Sequence, residues 1–126
     1  MGRLGFKDLV VWQKAKDLAV RVYKLSEDGK MGRDFGLRDQ MRRCAVSIAS
    51  NLAEGDERGT DKEAVRFFFI AKGSLAELRT QVQIAHEIGH LEKELYGCID
   101  SDCRELGRMI GKLIKVRQGA IKTGNG

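Results

Sequence analysis

The chain contains no proline, and aromatic residues make up only 6% of its 126 positions. Cysteine is scarce as well: Cys44, Cys98 and Cys103 are odd in number and form no CxxC pair, so they outline neither a disulfide scaffold nor a zinc knuckle. A reducing compartment is therefore expected. No stretch approaches the roughly 18 uncharged apolar residues that a membrane-spanning helix requires. The opening residues Met1 to Lys7 lack the apolar core of a secretion signal, so a cytoplasmic protein with no membrane association is expected.

What the sequence does have is charge and helical periodicity. Charged residues are 33% of the chain and the net charge is +5, but the excess is uneven. Residues 1–25 carry Arg3, Lys7, Lys14, Lys16, Arg21 and Lys24 against Asp8 and Asp17, and residues 106–126 carry Arg108, Lys112, Lys115, Arg117 and Lys122 against no acid. The middle of the chain is net acidic, so the basicity belongs to the two ends.

Apolar residues recur at steps of four and three, the spacing that lines one face of a helix. Val11, Ala15, Leu18, Val22 and Leu25 define a first helix over about 9–26, with Asp8 as its expected N-cap and Gly29 as a left-handed stop. Leu37, Met41, Cys44, Ile48 and Leu52 define a second over about 35–55, whose Ala45, Ser47, Ala49, Ser50 and Ala53 allow a neighbour to approach closely. Thr60 to Glu63 is a capping-box sequence, and Ala64, Phe68, Ala71, Leu75, Leu78, Val82 and Ala85 carry a third helix over about 61–88, stopped at Gly89. Ile99, Cys103, Leu106, Ile110 and Leu113 mark a fourth over about 93–117, leaving 118–126 as a frayed tail. Four amphipathic helices with short links, and nothing resembling a strand, predict an all-α, single-domain, up-down-up-down antiparallel four-helix bundle. Both basic ends then fall at the same pole.

Three segments carry a family likeness: Asp8-Leu9-Val10-Val11-Trp12-Gln13-Lys14-Ala15, Ala45-Val46-Ser47-Ile48-Ala49-Ser50-Asn51-Leu52-Ala53-Glu54-Gly55, and Arg66-Phe67-Phe68-Phe69-Ile70-Ala71-Lys72-Gly73-Ser74-Leu75-Ala76-Glu77-Leu78. In this order they resemble the bacterial four-helix bundle proteins of the 23S ribosomal RNA intervening-sequence family, over about residues 6–117. The resemblance implies a ring-shaped homopentamer with no enzymatic activity and no cofactor. It also implies kinship with the accessory variability protein of diversity-generating retroelements, which binds nucleic acid and a reverse transcriptase. Two positions depart from the family pattern: Ala49 stands where most relatives have proline, and Glu92 where a capping serine is usual. The first predicts a straighter second helix.

His86-Glu87-Ile88-Gly89-His90 spells HExxH, a zinc-protease signature that needs both imidazoles on one helical face. Gly89 falls where the helical period ends, which would swing His90 off that face, and the extended signature's next glycine is replaced by Lys93. No metal site and no catalytic residue are expected. Ser47, Ser50, Asn51, Glu54, Ser74, Glu77 and Gln81 have no base placed to activate a serine, and suggest a hydrogen-bonded seam between helices or between subunits.

The candidate ligand-binding residues are basic ones lying mostly off the apolar stripes: Lys14, Arg21, Arg38, Arg42, Arg43, Arg108, Lys112, Lys115 and Arg117. Arg108, Lys112 and Lys115 share a face by their 4, 3 spacing, and a ring would repeat each charge, so RNA or DNA phosphate is the expected ligand. No aromatic is interleaved with them along the chain, which points away from sequence-specific reading of unpaired bases. Phe67, Phe68 and Phe69 span about 200° of a helix. Phe68 lies on the core stripe, so Phe67 or Phe69, together with Trp12, is expected at a subunit interface.

Overall fold

The computed structural model of the chain describes residues 5–123. Those residues are all-α, and no strand occurs among them. A 3-10 turn, Phe6–Asp8, precedes α1 (Val10–Leu25), α2 (Gly29–Arg33), α3 (Phe35–Asp56), α4 (Asp61–Glu87) and α5 (Lys93–Lys122). α3 packs most extensively on α4, α4 on α5 and α1 on α3, while α1 meets α5 along a thinner seam. The single core they enclose is the apolar stripes of the four long helices. Val11, Ala15, Leu18 and Val22 of α1, all seven stripe residues of α4, and Ile99, Cys103, Leu106 and Ile110 of α5 are buried.

Three boundaries and one stripe position differ from the expectation. Asp8 does not cap α1: it is drawn into the 3-10 turn, with the Asp8 and Leu9 N–H groups donating to Gly5 O at 3.1 Å and Phe6 O at 2.9 Å, so Leu9 takes the cap position without a side-chain bond. The link after α1 is not plain coil, because Met31, only 2% exposed, is buried by the extra turn α2. α5 runs to Lys122 instead of ending near Arg117, carried on by half-buried Ile121 packing on the core. The stripe drifts as it goes, so Ile114 is buried where Leu113 was expected and Leu113 is only half-buried. Residues 118–122 are thus helical, and the remainder of the expected tail beyond Thr123 lies outside the described residues.

The helix ends otherwise follow the sequence. Thr60 Oγ1 accepts from the Glu63 N–H at 3.2 Å, although the Glu63 carboxylate pairs with Arg66 Nε at 3.6 Å. Glu92 sits at the N-cap of α5 with no side-chain bond, and α3 passes through Ala49 without interruption. Gly89 takes φ +87°, and the His90 N–H donates to Ala85 O at 2.8 Å while the Gly89 N–H donates to His86 O at 3.0 Å. This paired closure requires a left-handed residue, which glycine adopts without a Cβ clash.

Asp34 ties this turn to α3. Its Oδ1 accepts from the Leu37 N–H at 3.2 Å, capping α3, and its Oδ2 lies 3.0 Å from His90 Nε2. The Leu37 hydrogen bond first, and His90 second, hold the Asp34 carboxyl below its ordinary value. A carboxyl lowered by folding stabilises the fold above its unfolded value of about 4 and loses that contribution as pH falls through the folded value. The stability gap between wild type and Asp34→Asn should therefore narrow as pH falls below about 4, as read by urea unfolding in acid. A gap that stays constant down to about pH 2 would contradict this assignment.

Candidate nucleic-acid interface

The structure sorts the nine expected phosphate-binding residues into three groups. Arg42, Arg38 and Arg117 hold the fold together. Arg42 Nε donates to Ser26 Oγ at 2.9 Å and its Nη2 to Tyr23 O and Ser26 O, both at 3.2 Å, closing the carbonyl end of α1 while the guanidinium lies over the Tyr23 ring. Arg38 donates to Asp39 at 3.0 Å and to Gly32 O at 3.2 Å, and stacks on Phe35. Arg117 Nε meets Asp61 Oδ1 at 2.9 Å, with about four-fifths of each side chain buried. All three are engaged inside the protomer, Arg117 through Nε while its buried Nη1 has no acceptor.

Lys14 and Arg21 bridge the thin α1–α5 seam, Lys14 to Glu105 at 2.9 Å and Arg21 to Asp102 at 2.6 Å. The hydrogen bond from Lys14 lowers the Glu105 carboxyl, and Glu105 raises Lys14 in return. Both pairs are exposed to solvent, so each contributes little to stability. Arg43, Arg108, Lys112 and Lys115 are exposed and, among the described residues, enter no ion pair. The last three form one continuous face of α5.

Sequence reasoning missed the other half of this face. Lys72 and Arg79 of α4 stand across from Arg104 and Arg108 of α5, lining a furrow of about 400 Å³ floored by Leu75, Ala76, Cys103 and Gly107. Their seven-residue spacing was visible, but only the packing of α4 on α5 brings them beside the α5 bases. One carboxylate, Asp100, stands at this end, 3.5 Å from Arg79 Nη2 and 3.3 Å from Arg104 Nε.

The aromatic expectations divide. Phe67 is already buried within the protomer, 8% exposed, packed against Gly55 and covered by the guanidinium groups of Arg58 and Arg66, 4.5 and 5.2 Å from its ring centre. Phe69 is the one left over, 47% exposed. Trp12 is half-buried, its ring edge-on to Phe6 at 5.1 Å. With Val20, Tyr23, Val46 and Ala49 it lines a mainly apolar furrow of about 610 Å³ between α1 and α3.

The two histidines part company at Gly89. His86 Nδ1 lies 2.9 Å from Leu91 O and its ring stacks on Tyr96 at 4.4 Å, whereas His90 faces Asp34. The serine-rich seam joins α3 to α4 within one protomer: Ser47 and Ser74 hydroxyls meet at 2.9 Å, and Asn51 Nδ2 donates to Ser47 O at 2.9 Å. Glu54 turns instead to Arg58, and Ser50 to the α1–α3 furrow.

The thiols differ in environment. Burial pushes the Cys103 thiol up to about 12, while Cys98 is exposed. A thiol reagent at about pH 8 should label Cys98 in the native protein and reach Cys103 only after unfolding, since the thiolate is the nucleophile. Mass-spectrometric mapping of the labelled sites checks this, and prompt native labelling of Cys103 would contradict it.

With this geometry in view, likeness to known proteins can be stated. One solved structure, that of a protein with unknown function from the S23 ribosomal protein family of Bacteroides thetaiotaomicron, superposes with a TM-score of 0.79 at 21% identity, covering 84% of this chain and 96% of that one. At that identity the likeness shows the fold. No curated protein matches the chain. The family model described as 23S rRNA-intervening sequence protein matches residues 7–112, most of the chain, from the start of α1 into α5. The protein belongs to the 23S rRNA-intervening sequence protein family.

Proposed function

We propose that this protein is a non-enzymatic, cytoplasmic, homo-oligomeric binder of RNA or DNA backbone, built as an up-down-up-down antiparallel four-helix bundle. The topology is supported by contacts that run in opposite sequence order on neighbouring helices. Arg42 lies against Tyr23 and Ala53 shares a furrow with Trp12; Gly55 faces Phe68 while Cys44 reaches Gln81; and Asp61 meets Arg117 while Arg79 meets Asp100. That order gathers the start of α1 and the end of α5 at one pole.

The observation that carries the binding reading is the α5 face. Arg108, Lys112 and Lys115 are exposed, share one face and enter no ion pair among the described residues, whereas Lys14, Arg21, Arg38, Arg42 and Arg117 are held by acids or carbonyls. Free cations release counterions from a phosphate backbone on binding, which makes affinity steeply salt-dependent. A gel-shift or anisotropy series with RNA and DNA tests this. Replacing Arg108, Lys112 and Lys115 together by glutamine should weaken binding at least tenfold and lower the salt slope by about 2 to 3. Absence of binding, or the same affinity and slope in the variant, overturns the reading.

A second reading has its own support in the apolar α1–α3 furrow. Aromatic and aliphatic walls with few charges suit contact with protein. On that reading the furrow joins subunits of a ring, a pentamer by the family resemblance, that recruits a further protein such as a reverse transcriptase. Native mass spectrometry of the intact assembly tests it, and a monomer at micromolar concentration would exclude the ring.

A further inference from the structure

The furrow between α4 and α5 has cations on both walls and no carboxylate among its lining residues. On α5, Arg104, Arg108 and Lys112 recur every fourth residue, a stride of about 6 Å that is comparable with the spacing of successive phosphates along an extended strand. On α4, Lys72 and Arg79 face them across a floor of Leu75, Ala76 and Gly107. Neighbouring helix axes lie about 8–10 Å apart, so the two walls are close enough to flank one backbone. A duplex, convex and far wider, would touch only the rims.

An exposed aromatic stands beyond the Lys72 end of the furrow. Phe69 lies three residues before Lys72 and seven before Ala76, which puts all three on one side of α4. Leu75 faces Gly107 at 3.5 Å and Asp61 meets Arg117, so Phe69 falls at a level between those contacts, the level of Gly111 and Lys112 on α5. Gly111 leaves open space there: a Cβ at that position would meet nothing within 4 Å. The ring is 47% exposed although it belongs to the apolar class that usually hides. An exposed ring beside a cationic track is the arrangement by which single strands are held without sequence preference, phosphates on the bases and a nucleobase on the ring.

We propose that the α4–α5 furrow is a track for single-stranded RNA or DNA, with Lys72, Arg104, Arg108 and Lys112 on its phosphates and Phe69 as a stacking ledge for one base. This rests on the nucleic-acid reading above and narrows it to a strand, a furrow and a ring. It also explains why no aromatic lies among the bases of α5: the ring comes from the other helix.

The test uses the full-length protein and fluorescence anisotropy with a labelled 12-nucleotide oligouridine, a 12-nucleotide oligothymidine and a 12-base-pair duplex across a salt series. The single strands should bind more tightly than the duplex. Phe69→Ala should weaken single-strand binding about tenfold with the salt slope unchanged, because stacking releases no counterions. The double variant Lys72→Gln, Arg104→Gln should lower the slope by about 1.4, at about 0.7 per phosphate contact on a single strand. All three positions are exposed, and circular dichroism confirms that the variants fold. Tighter binding of the duplex, an unchanged affinity in Phe69→Ala, or an unchanged slope in the Lys72 and Arg104 variant overturns the track while leaving backbone binding through α5 standing. Failure of every probe to bind removes both.

Discussion

Replacing Phe68 by alanine should lower the unfolding free energy by about 4 kcal/mol, the largest loss expected from any single side chain here. Phe68 is fully buried, and its ring lies against Gly55 of α3 with the Arg117 guanidinium 5.7 Å from its centre. Truncation removes a large apolar surface and leaves a cavity that three helices would have to close. For a domain whose total stability is about 5–15 kcal/mol, that is a large share. Urea unfolding followed by circular dichroism measures it, and a loss below about 1.5 kcal/mol would mean that the ring is not packed as described.

The same contact makes a second, signed expectation. A Cβ added at Gly55 would lie 2.7 Å from Phe68 Cε1 and 3.0 Å from Phe67 Cβ, closer than carbon atoms tolerate. Gly55→Ala should therefore destabilise by about 1–3 kcal/mol, even though alanine is the better helix former. In the Phe68→Ala background the ring is gone and the new methyl enters the cavity, so the double variant should lose less than the two single losses combined. Simple additivity would show that the two sites do not touch.

Why these residues could be foreseen, and others not, follows from the range of the interactions involved. Phe68 lies on a 4, 3 stripe that runs through α4 without a fault, and a stripe is a local property: one helix carries it, and burial on any partner satisfies it. Gly89 was legible for the same reason, since a helix stop is written in the few residues around it. The partners of the cations are not local. Lys14 finds Glu105 and Arg117 finds Asp61 only because α5 returns along α1 and α4, and no periodicity within a helix says which face meets which. Arg42 reads as a free base in the sequence because its acceptors are carbonyls of α1 and Ser26, and every residue has a carbonyl. The α4 wall of the furrow escaped notice because Lys72 and Arg79 become a site only opposite Arg104 and Arg108.

Arg117 puts that distinction to a quantitative test. Asp61 opens α4, where a carboxylate is favoured by the helix dipole, and its partner Arg117 is about four-fifths buried with Nη1 shut away from both solvent and acceptors. Asp61→Ala strands a largely buried guanidinium and should cost about 3 kcal/mol. Arg117→Met removes the buried charge and keeps an apolar stem against Phe68, while Asp61 retains the α4 N-terminus, so its cost should be near 1 kcal/mol. Combining the two should recover most of what Asp61→Ala loses, since the penalty lies in the unpaired charge and not in the absence of the pair. The proposed nucleic-acid binding supplies the independent readout: Arg117→Met should leave affinity and salt slope as they are in wild type, whereas Arg108→Gln should lower the single-strand slope by about 0.7. If Arg117→Met weakened binding as much as Arg108→Gln, Arg117 would have to exchange Asp61 for phosphate, and its place among the cations that only hold the fold would be lost.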